Sequence, residues 1–193
     1  LLRLVAGLVQ PQQGSLSGIA QHVAWMGQQD LLYPWLTVLE NVMLTARLSG
    51  AKPDRVRAHH LLAQVGLEDE AQAAPSQLSG GMRQRVALAR TLYAQRELVL
   101  MDEPFATLDV MTKHQLQTLT ATLLRGKTVL LVTHDPLEAC RMADDILLLH
   151  GQPLQVTHWP VPAGTVPRAL NDAGLLQAQA ELFSRLNSYE KTE

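Results

Sequence analysis

The sequence feature that most constrains the fold is a short apolar run that ends in two adjacent carboxylates. Residues 98–104 read LVLMDEP, so four apolar residues directly precede Asp102, Glu103 and Pro104. Such a run predicts a buried β-strand that the proline stops, with both carboxylates at the carboxyl edge of a sheet. Open α/β folds bind ligands at that edge. The run indicates an α/β fold with an acidic site suited to Mg²⁺ and phosphate, although a strand can also end in two acids by chance.

A helix start that contains two glycines lies upstream of this strand. Residues 78–85 read LSGGMRQR, in which Ser79 is a favourable N-cap, and Gly80 and Gly81 leave the N–H groups of the first turn open to an anion. The apolar face of this helix is formed by Met82, Val86, Ala89 and Tyr93. Taken alone, the string is typical of any capped amphipathic helix. The acidic strand that follows favours a phosphate-binding helix start.

A second apolar strand ends in a histidine. Residues 128–135 read TVLLVTHD, which predicts a strand followed directly by a polar turn that contains His134. A histidine in such a place is usually an ordinary polar residue. Because the pattern alternates helix and strand, the two strands should run parallel. We therefore expect His134 at the same sheet edge as Asp102 and Glu103.

Taken in order, these strings resemble the motifs of the nucleotide-binding subunit of ABC transporters. LSGGMRQR is similar to the family signature, LVLMDEP to the Walker B strand, ATLD at residues 106–109 to the D-loop, and LLVTHD to the switch-histidine segment. Gln28 in MGQQDLLYPW resembles the glutamine of the Q-loop. The resemblance covers nearly the whole chain. It implies an α/β fold with a P-loop NTPase core of the ABC type and a helical signature subdomain.

One family motif does not occur. The phosphate-binding loop GxxxxGK[ST] is absent from the 193 residues, and LLRLVAGL at residues 1–8 resembles the helix that directly follows that loop in family members. Two explanations stay open. The chain is either a fragment that starts just after the Walker A motif, with a core incomplete at the N-terminus, or a degenerate subunit. In either case we expect it to be inactive alone.

The composition of the chain bears on which functions and cellular locations it favours. Sixteen basic and eighteen acidic residues give a formal net charge of −2, which offers no bulk attraction to nucleic acid. The apolar runs are far shorter than the roughly 20 residues of a membrane-spanning helix, so this chain is not expected to form a channel itself. Cys140 is the only cysteine, which excludes an internal disulfide and favours a reducing cytoplasm.

The pattern along the chain predicts three parts. Residues 1–29 and 87–155 form the nucleotide-binding core, residues 30–86 the helical subdomain, and residues 156–193 an extended link and an amphipathic helix. The core should include short strands at residues 15–19 and 23–26 and crossover helices at residues 110–124 and 136–143.

In the helical subdomain, Thr37 and Glu40 form a capping box. The apolar stripe of the helix that follows is expected at Val38, Val42, Leu44 and Leu48, with an end at Gly50, and a second helix should start at Pro53. The stripe of the C-terminal helix is expected at Leu175, Leu176, Leu182, Phe183 and Leu186.

The family resemblance implies the catalytic roles. Asp102 would hold Mg²⁺, mostly through water, and Gln28 would sense the metal and the phosphate. Glu103 would be the base that orients and deprotonates the attacking water. His134 would contact the γ-phosphate of ATP. The implied cofactors are therefore ATP and Mg²⁺.

The resemblance also implies that two chains share each site. Ser79, Gly80 and Gly81 would contact the γ-phosphate of ATP held by a second subunit, and Asp109 would communicate across that interface. Hydrolysis would separate the chains by removing the phosphate that bridges them. The expected assembly is a homodimer of ATPase subunits.

The segment LLYPW, residues 31–35, implies a membrane partner. In family members the corresponding segment forms the groove for the cytoplasmic helix of a separate permease, so Leu31, Tyr33 and Trp35 are expected to dock that helix. Packing into the core is the alternative role for these side chains. Together with Pro167 and Arg168, the segment resembles importers of the nitrate, sulfonate, taurine and thiamine-precursor group.

This resemblance implies a peripheral subunit on the cytoplasmic face of the inner (plasma) membrane. A permease and an extracytoplasmic solute-binding protein would complete the complex, without nucleic acid. Two other functions stay open. One is a soluble ABC ATPase that acts on nucleic acid or ribosomes, and the other is an inactive interaction module.

Overall fold

The computed structural model describes residues 1–16 and 23–190. The chain divides into two compact units, Leu1–Val132 and Thr133–Glu193. The first unit contains a three-stranded sheet and six α-helices within the described residues, and the second contains a two-stranded sheet and two α-helices. The three-part division predicted from the sequence stays a prediction.

The sheet of the first unit is parallel and has the order β1-β2-β3. Its strands are β1 (Ala24–Met26), β2 (Leu98–Asp102) and β3 (Thr128–Val132). The central strand β2 buries its three middle residues, which agrees with the strand predicted from LVLM. The predicted strand at residues 23–26 is present, whereas the one at residues 15–19 falls mostly outside the described residues.

The capping box of the helical region is present, but the helix after it is broken. Thr37 and Glu40 exchange both cap hydrogen bonds at the start of α2 (Val38–Val42). Met43 then interrupts the helix before α3 (Leu44–Leu48). The predicted stripe is wrong at Leu48, which is 75% exposed at the end of a helix that buries none of its residues fully.

The remaining helices of the first unit are α1 (Leu2–Val5), α4 (Arg55–Gln64), a 3₁₀ turn (Pro75–Gln77), α5 (Gly80–Tyr93) and α6 (Val110–Leu123). Three of them, α4, α5 and α6, begin at polar N-caps. The start of α4 differs from the prediction by two residues. The helix starts at Arg55 and not at Pro53, because Asp54 is its N-cap. The Asp54 carboxylate accepts a hydrogen bond from the Arg57 N–H at 3.0 Å and so satisfies an open N–H of the first turn.

The second unit packs two helices on an antiparallel strand pair. Its elements are α7 (Pro136–Met142), β4 (Ile146–His150), β5 (Gln155–Trp159) and α8 (Ala173–Glu190). Its core is formed by Cys140, Ile146, Leu148, Leu175 and Leu182. The predicted stripe of α8 is correct at Leu175 and Leu182 and wrong at Leu176 and Phe183, which are exposed. One helical face buries only positions three to four residues apart, so the side chain next to each buried leucine points outward.

Across residues 1–16 and 23–190, none of the helices combines the length and the hydropathy that crossing a bilayer would require.

Candidate functional site

The carboxyl edge of the parallel sheet brings together three of the predicted site residues. Asp102 is the last residue of β2 and lies opposite Val132 of β3. The N–H of Glu103 donates to the Val132 carbonyl at 2.9 Å. Gln28 follows the end of β1, the strand paired with the other side of β2. Because the strands are parallel, Gln28, Asp102 and Glu103 leave the sheet at one edge, where open α/β folds bind ligands.

Glu103 has an unusual backbone conformation. Its φ is 47°, in the left-handed region that residues other than glycine seldom adopt. Such conformations persist when the surroundings hold them, and they cluster at functional sites. Here the hydrogen bond to Val132 holds the backbone of Glu103, and both Asp102 and Glu103 are half-buried.

The glycine-containing helix start is exposed at its first two residues. Ser79 caps α5 and accepts a hydrogen bond from the Met82 N–H at 3.2 Å, as the sequence predicts. Ser79 and Gly80 are exposed. Packing inside the first unit leaves no room for a side chain at Gly81, because a Cβ atom at this position would lie 2.5 Å from Thr112 Cγ2. The sequence offers only the anion-binding explanation for Gly81, and this packing reason was not predicted.

Asp109 has a structural role at the start of α6. Its carboxylate accepts a hydrogen bond from the Thr112 N–H at 3.1 Å and caps the helix. Hydrogen bonds from Thr112 lower the pKa of Asp109 below its ordinary value. The same threonine packs on Gly81. The starts of α5 and α6 are therefore connected through Thr112.

His134 lies in the second unit, in the turn that opens α7. Its neighbour Asp135 caps α7, accepting hydrogen bonds from the N–H groups of Leu137 at 2.9 Å and Glu138 at 3.4 Å. The side chain of His134 is exposed. The predicted proximity of His134 to Glu103 joins residues of different units and stays a prediction.

The structural roles of four polar residues were not predicted from the sequence, which gave Arg168 only as part of a family resemblance. They are Asn41, Arg83, Arg90 and Arg168, whose side chains bind backbone carbonyls. Asn41 carries a detectable signal, because it lies three residues after Val38 on the buried face of α2 and is fully buried. The three arginines carry no such local signal, since each binds carbonyls on a segment distant in the sequence or at a turn.

The donor chemistry at the sheet edge fits Mg²⁺ held jointly with a nucleotide. Within the described part of the chain, no group of three or more histidine, cysteine, aspartate or glutamate side chains could hold a metal by itself. Asp102 and Gln28 instead provide a carboxylate and an amide, which are hard oxygen donors. Mg²⁺ typically binds one or two carboxylates and takes its other ligands from phosphate and water.

Known proteins resemble this chain in sequence and fold. A family model described as ABC transporter matches residues 1–106. An ABC transporter ATP-binding protein of Haemophilus influenzae, named as uncharacterized, is 43% identical over 196 residues, which cover 96% of this chain and 81% of that protein. An aliphatic sulfonates import ATP-binding protein of Xanthomonas axonopodis pv. citri is 40% identical over 205 residues, covering 97% of this chain and 80% of that protein.

A solved structure is also similar. It is the dimer of an ATP-binding cassette bound to ADP and Pi in a post-hydrolysis state, with a TM-score of 0.60 and 33% identity. The match covers 72% of this chain and 70% of that one. The fold of the chain is therefore the α/β P-loop NTPase fold of the ABC type, which confirms the predicted fold class.

The chain belongs to the ABC transporter family. Both relatives described above are named as ATP-binding proteins, and the chain corresponds to that subunit of the family.

Proposed function

We propose that this chain is the ATP-hydrolysing subunit of an importer whose permease is a separate protein. The observation that carries the proposal is the sheet edge at which Gln28, Asp102 and the left-handed Glu103 emerge together. Family membership gives this edge its chemistry, since the family is named for its ATP-binding cassette. The net charge of −2 gives no support to a nucleic-acid partner.

Each residue at this edge has a proposed role. Asp102 and Gln28 hold Mg²⁺, which when bound neutralises charge on the phosphates of ATP. Glu103 accepts the proton of the water that attacks the γ-phosphate, and its constrained backbone fixes where the carboxylate lies. His134, which lies in the second unit, would contact the γ-phosphate and fix the water. A positioned base contributes about 10²- to 10⁴-fold to such a reaction.

The active assembly is proposed to be a dimer of this subunit. Ser79, Gly80 and Gly81 would meet the γ-phosphate of ATP bound to the partner copy, and the exposure of the first two leaves them accessible for that contact. Asp109 would transmit the state of one site to the other. The structural relative is itself described as a dimer bound to ADP and Pi.

The permease is proposed to dock on residues 31–35. Leu31 is 61% exposed and Trp35 is 74% exposed, and the rings of Tyr33 and Trp35 lie 5.0 Å apart. This exposure favours docking over the alternative of core packing for these side chains. An exposed apolar cluster of this kind suits the apolar face of a partner helix.

The solute is proposed to be a small anion of the sulfonate type. The support is the Xanthomonas axonopodis relative, named as an aliphatic sulfonates import protein. Nitrate, taurine and thiamine-precursor uptake belong to the same group in the resemblance stated above. The subunit would lie peripherally on the cytoplasmic face of the inner membrane and work with an extracytoplasmic solute-binding protein.

The proposed ATP hydrolysis can be tested by measuring ATP turnover in a chain to which a phosphate-binding loop has been added. The 193 residues contain no GxxxxGK[ST] string, so we expect this chain alone to bind MgATP poorly. Extending it at Leu1 with the first strand and loop of an ABC relative should restore hydrolysis. In the extended chain, Glu103→Gln should lower turnover by about 100-fold or more while ATP still binds.

Glu97→Gln is the matched control. Glu97 is an exposed carboxylate paired with Lys127 at 3.3 Å, and its replacement should leave turnover unchanged. A Glu103→Gln variant that keeps more than about a tenth of the parent turnover would remove Glu103 from the role of base. Micromolar MgATP binding by the unextended chain would contradict the expected poor binding.

A further inference from the structure

The exposed segment of residues 31–35 begins at a second left-handed residue. Leu31 has a φ of 47°, and it lies between β1 and α2. A leucine in this region suffers close contact between its Cβ and its own backbone, so the conformation needs support from outside the segment. Its side chain is largely exposed and contributes little support through burial.

The support comes from Arg90 on α5. One terminal nitrogen of its guanidinium donates to the Leu31 carbonyl at 2.9 Å, and the other donates to the Asp30 carbonyl at 2.6 Å. These are the two carbonyls that flank the Leu31 Cα. A planar guanidinium holds its donors in a fixed fork, so one side chain sets both peptide orientations. Burial lowers the pKa of Arg90, and the charge of Asp30 opposes that shift.

Arg83, on the same helix, holds the side chain of Asp30. Its Nε donates to Asp30 Oδ2 at 2.9 Å, and its Nη1 donates to the Leu78 carbonyl at 2.8 Å. Asp30 Oδ1 accepts from the Leu32 N–H at 3.1 Å. Arg83 therefore connects the exposed segment to the residue just before the N-cap of α5.

Asn41 of α2 holds the segment from the other side. Its Oδ1 accepts from the Tyr33 N–H at 2.8 Å, and its Nδ2 lies 3.2 Å from the Tyr33 and Leu36 carbonyls. The side chain is fully buried, so these bonds form without competition from water. Residues 31–36 are thus bound at their backbone while the side chains of Leu31, Tyr33 and Trp35 stay exposed.

We propose that Arg90 is a positioning residue that keeps Leu31 left-handed and so presents residues 31–35 as a preformed docking surface fixed to α5. The identity of the docking partner rests on the proposed function, whereas the action of Arg90 does not. Because α5 begins at the Ser79 turn, a partner that pushes on residues 31–35 would move that turn as well.

Amide hydrogen exchange in the isolated chain tests this role. The reporters are the N–H groups of Leu32 and Tyr33, which are bonded to Asp30 and Asn41. Arg90→Met should speed their exchange by about tenfold or more, because the left-handed conformation loses its support and opens more often. Arg55→Met, which changes an exposed arginine at the first position of α4, should have no effect on these amides.

A double variant distinguishes support of the left-handed Leu31 backbone from a general loss of stability. Glycine adopts positive φ at no steric cost, so in the Leu31→Gly background the effect of Arg90→Met should shrink by at least about threefold. An equal effect in both backgrounds would overturn the proposal, as would unchanged exchange in a folded Arg90→Met chain. If Arg90→Met does not fold, Arg90→Lys decides, because one ammonium lacks the fixed fork and exchange should still rise.

Failure of this proposal and failure of the proposed function are distinguishable. Exchange is measured without a permease, so unchanged rates together with normal permease docking would refute only the role of Arg90. Faster exchange together with no permease docking by the unaltered chain would refute only the docking partner.

Discussion

The two units each fix an irregular segment with an arginine, but the two arginines act in different surroundings. Arg90 is half-buried and binds the carbonyls beneath an exposed apolar segment. Arg168 is only 5% exposed, and its guanidinium donates to carbonyls at the end of α7 and in the link before α8. A cation at a helix C-terminus also interacts favourably with the helix dipole. Guanidinium-to-carbonyl hydrogen bonds therefore hold an exposed segment in the first unit and a buried region in the second.

This difference predicts the largest effect for Arg168. Its donors reach the carbonyls of Pro162 at 2.8 Å, Cys140 at 2.9 Å and Ala143 at 2.8 Å. Arg168→Met should destabilise the second unit by at least about 3 kcal/mol, since each buried acceptor left without a partner costs roughly 1–3 kcal/mol. Urea unfolding followed by Trp159 fluorescence, with the other two tryptophans replaced by phenylalanine, measures it.

The control is Arg185→Met, which removes an exposed arginine stacked on Tyr189 at 4.4 Å. It should cost less than about 1 kcal/mol. If the two variants lost similar stability, the contrast between a buried and a surface arginine would not hold.

The second-largest loss of stability is expected at Gly81, which lies against Thr112 at the start of α5. Gly81→Ala would place a Cβ against Thr112, and relieving that contact should cost about 1–3 kcal/mol of unfolding free energy. In a Thr112→Ser background the Cγ2 atom is gone and the same change should be neutral or stabilising by up to about 1 kcal/mol, because alanine favours helix over glycine. Thermal unfolding of the four chains would show this reversal of sign, and its absence would remove the packing explanation for Gly81.

A smaller effect on stability is expected at the exposed segment. Trp35→Ala should change the free energy of unfolding by no more than about 0.5 kcal/mol, since the side chain is mostly exposed. It should nevertheless weaken association with a permease by about 30-fold, as buried aromatic anchors dominate interfaces. Leu48→Ala, at an equally exposed apolar residue on α3, is the control and should leave association unchanged. Equal losses for both variants would argue against a docking surface at residues 31–35.

The smallest effect is the pH dependence of the Asp109 cap. Its pKa is lowered in the folded chain, so its carboxylate stabilises the fold above the unfolded pKa, near 3.8, and that contribution is lost as pH falls through the folded pKa. An asparagine side chain also caps helices well, so the Asp109→Asn variant keeps the cap and isolates the charge. The difference in melting temperature between the two chains should be present at neutral pH and disappear at strongly acidic pH. A constant difference across that range would contradict the assignment.

Local signals in the sequence were sufficient for much of the fold. The strand at LVLM, the capping box at Thr37 and the N-cap at Ser79 were predicted because each depends on neighbouring residues. The break at Met43 was not predicted, since nothing in the apolar spacing distinguishes one helix from two short ones.

The parts of the site that were missed depend on contacts between distant residues. Arg90 and Leu31 are 59 positions apart, and no pattern around either residue indicates a left-handed leucine held by an arginine. The packing of Gly81 on Thr112 is equally remote in sequence. The sequence identified the residues with family motifs, and the structure was needed to find the residues that hold them.

The most direct test of the shared ATP site is a crystal structure of the loop-extended Glu103→Gln chain with MgATP. We expect a dimer in which the γ-phosphate lies between Asp102 of one copy and the Ser79 turn of the other. Nucleotide bound away from the carboxyl edge of β2, or bound there with the Ser79 turn facing solvent, would contradict it.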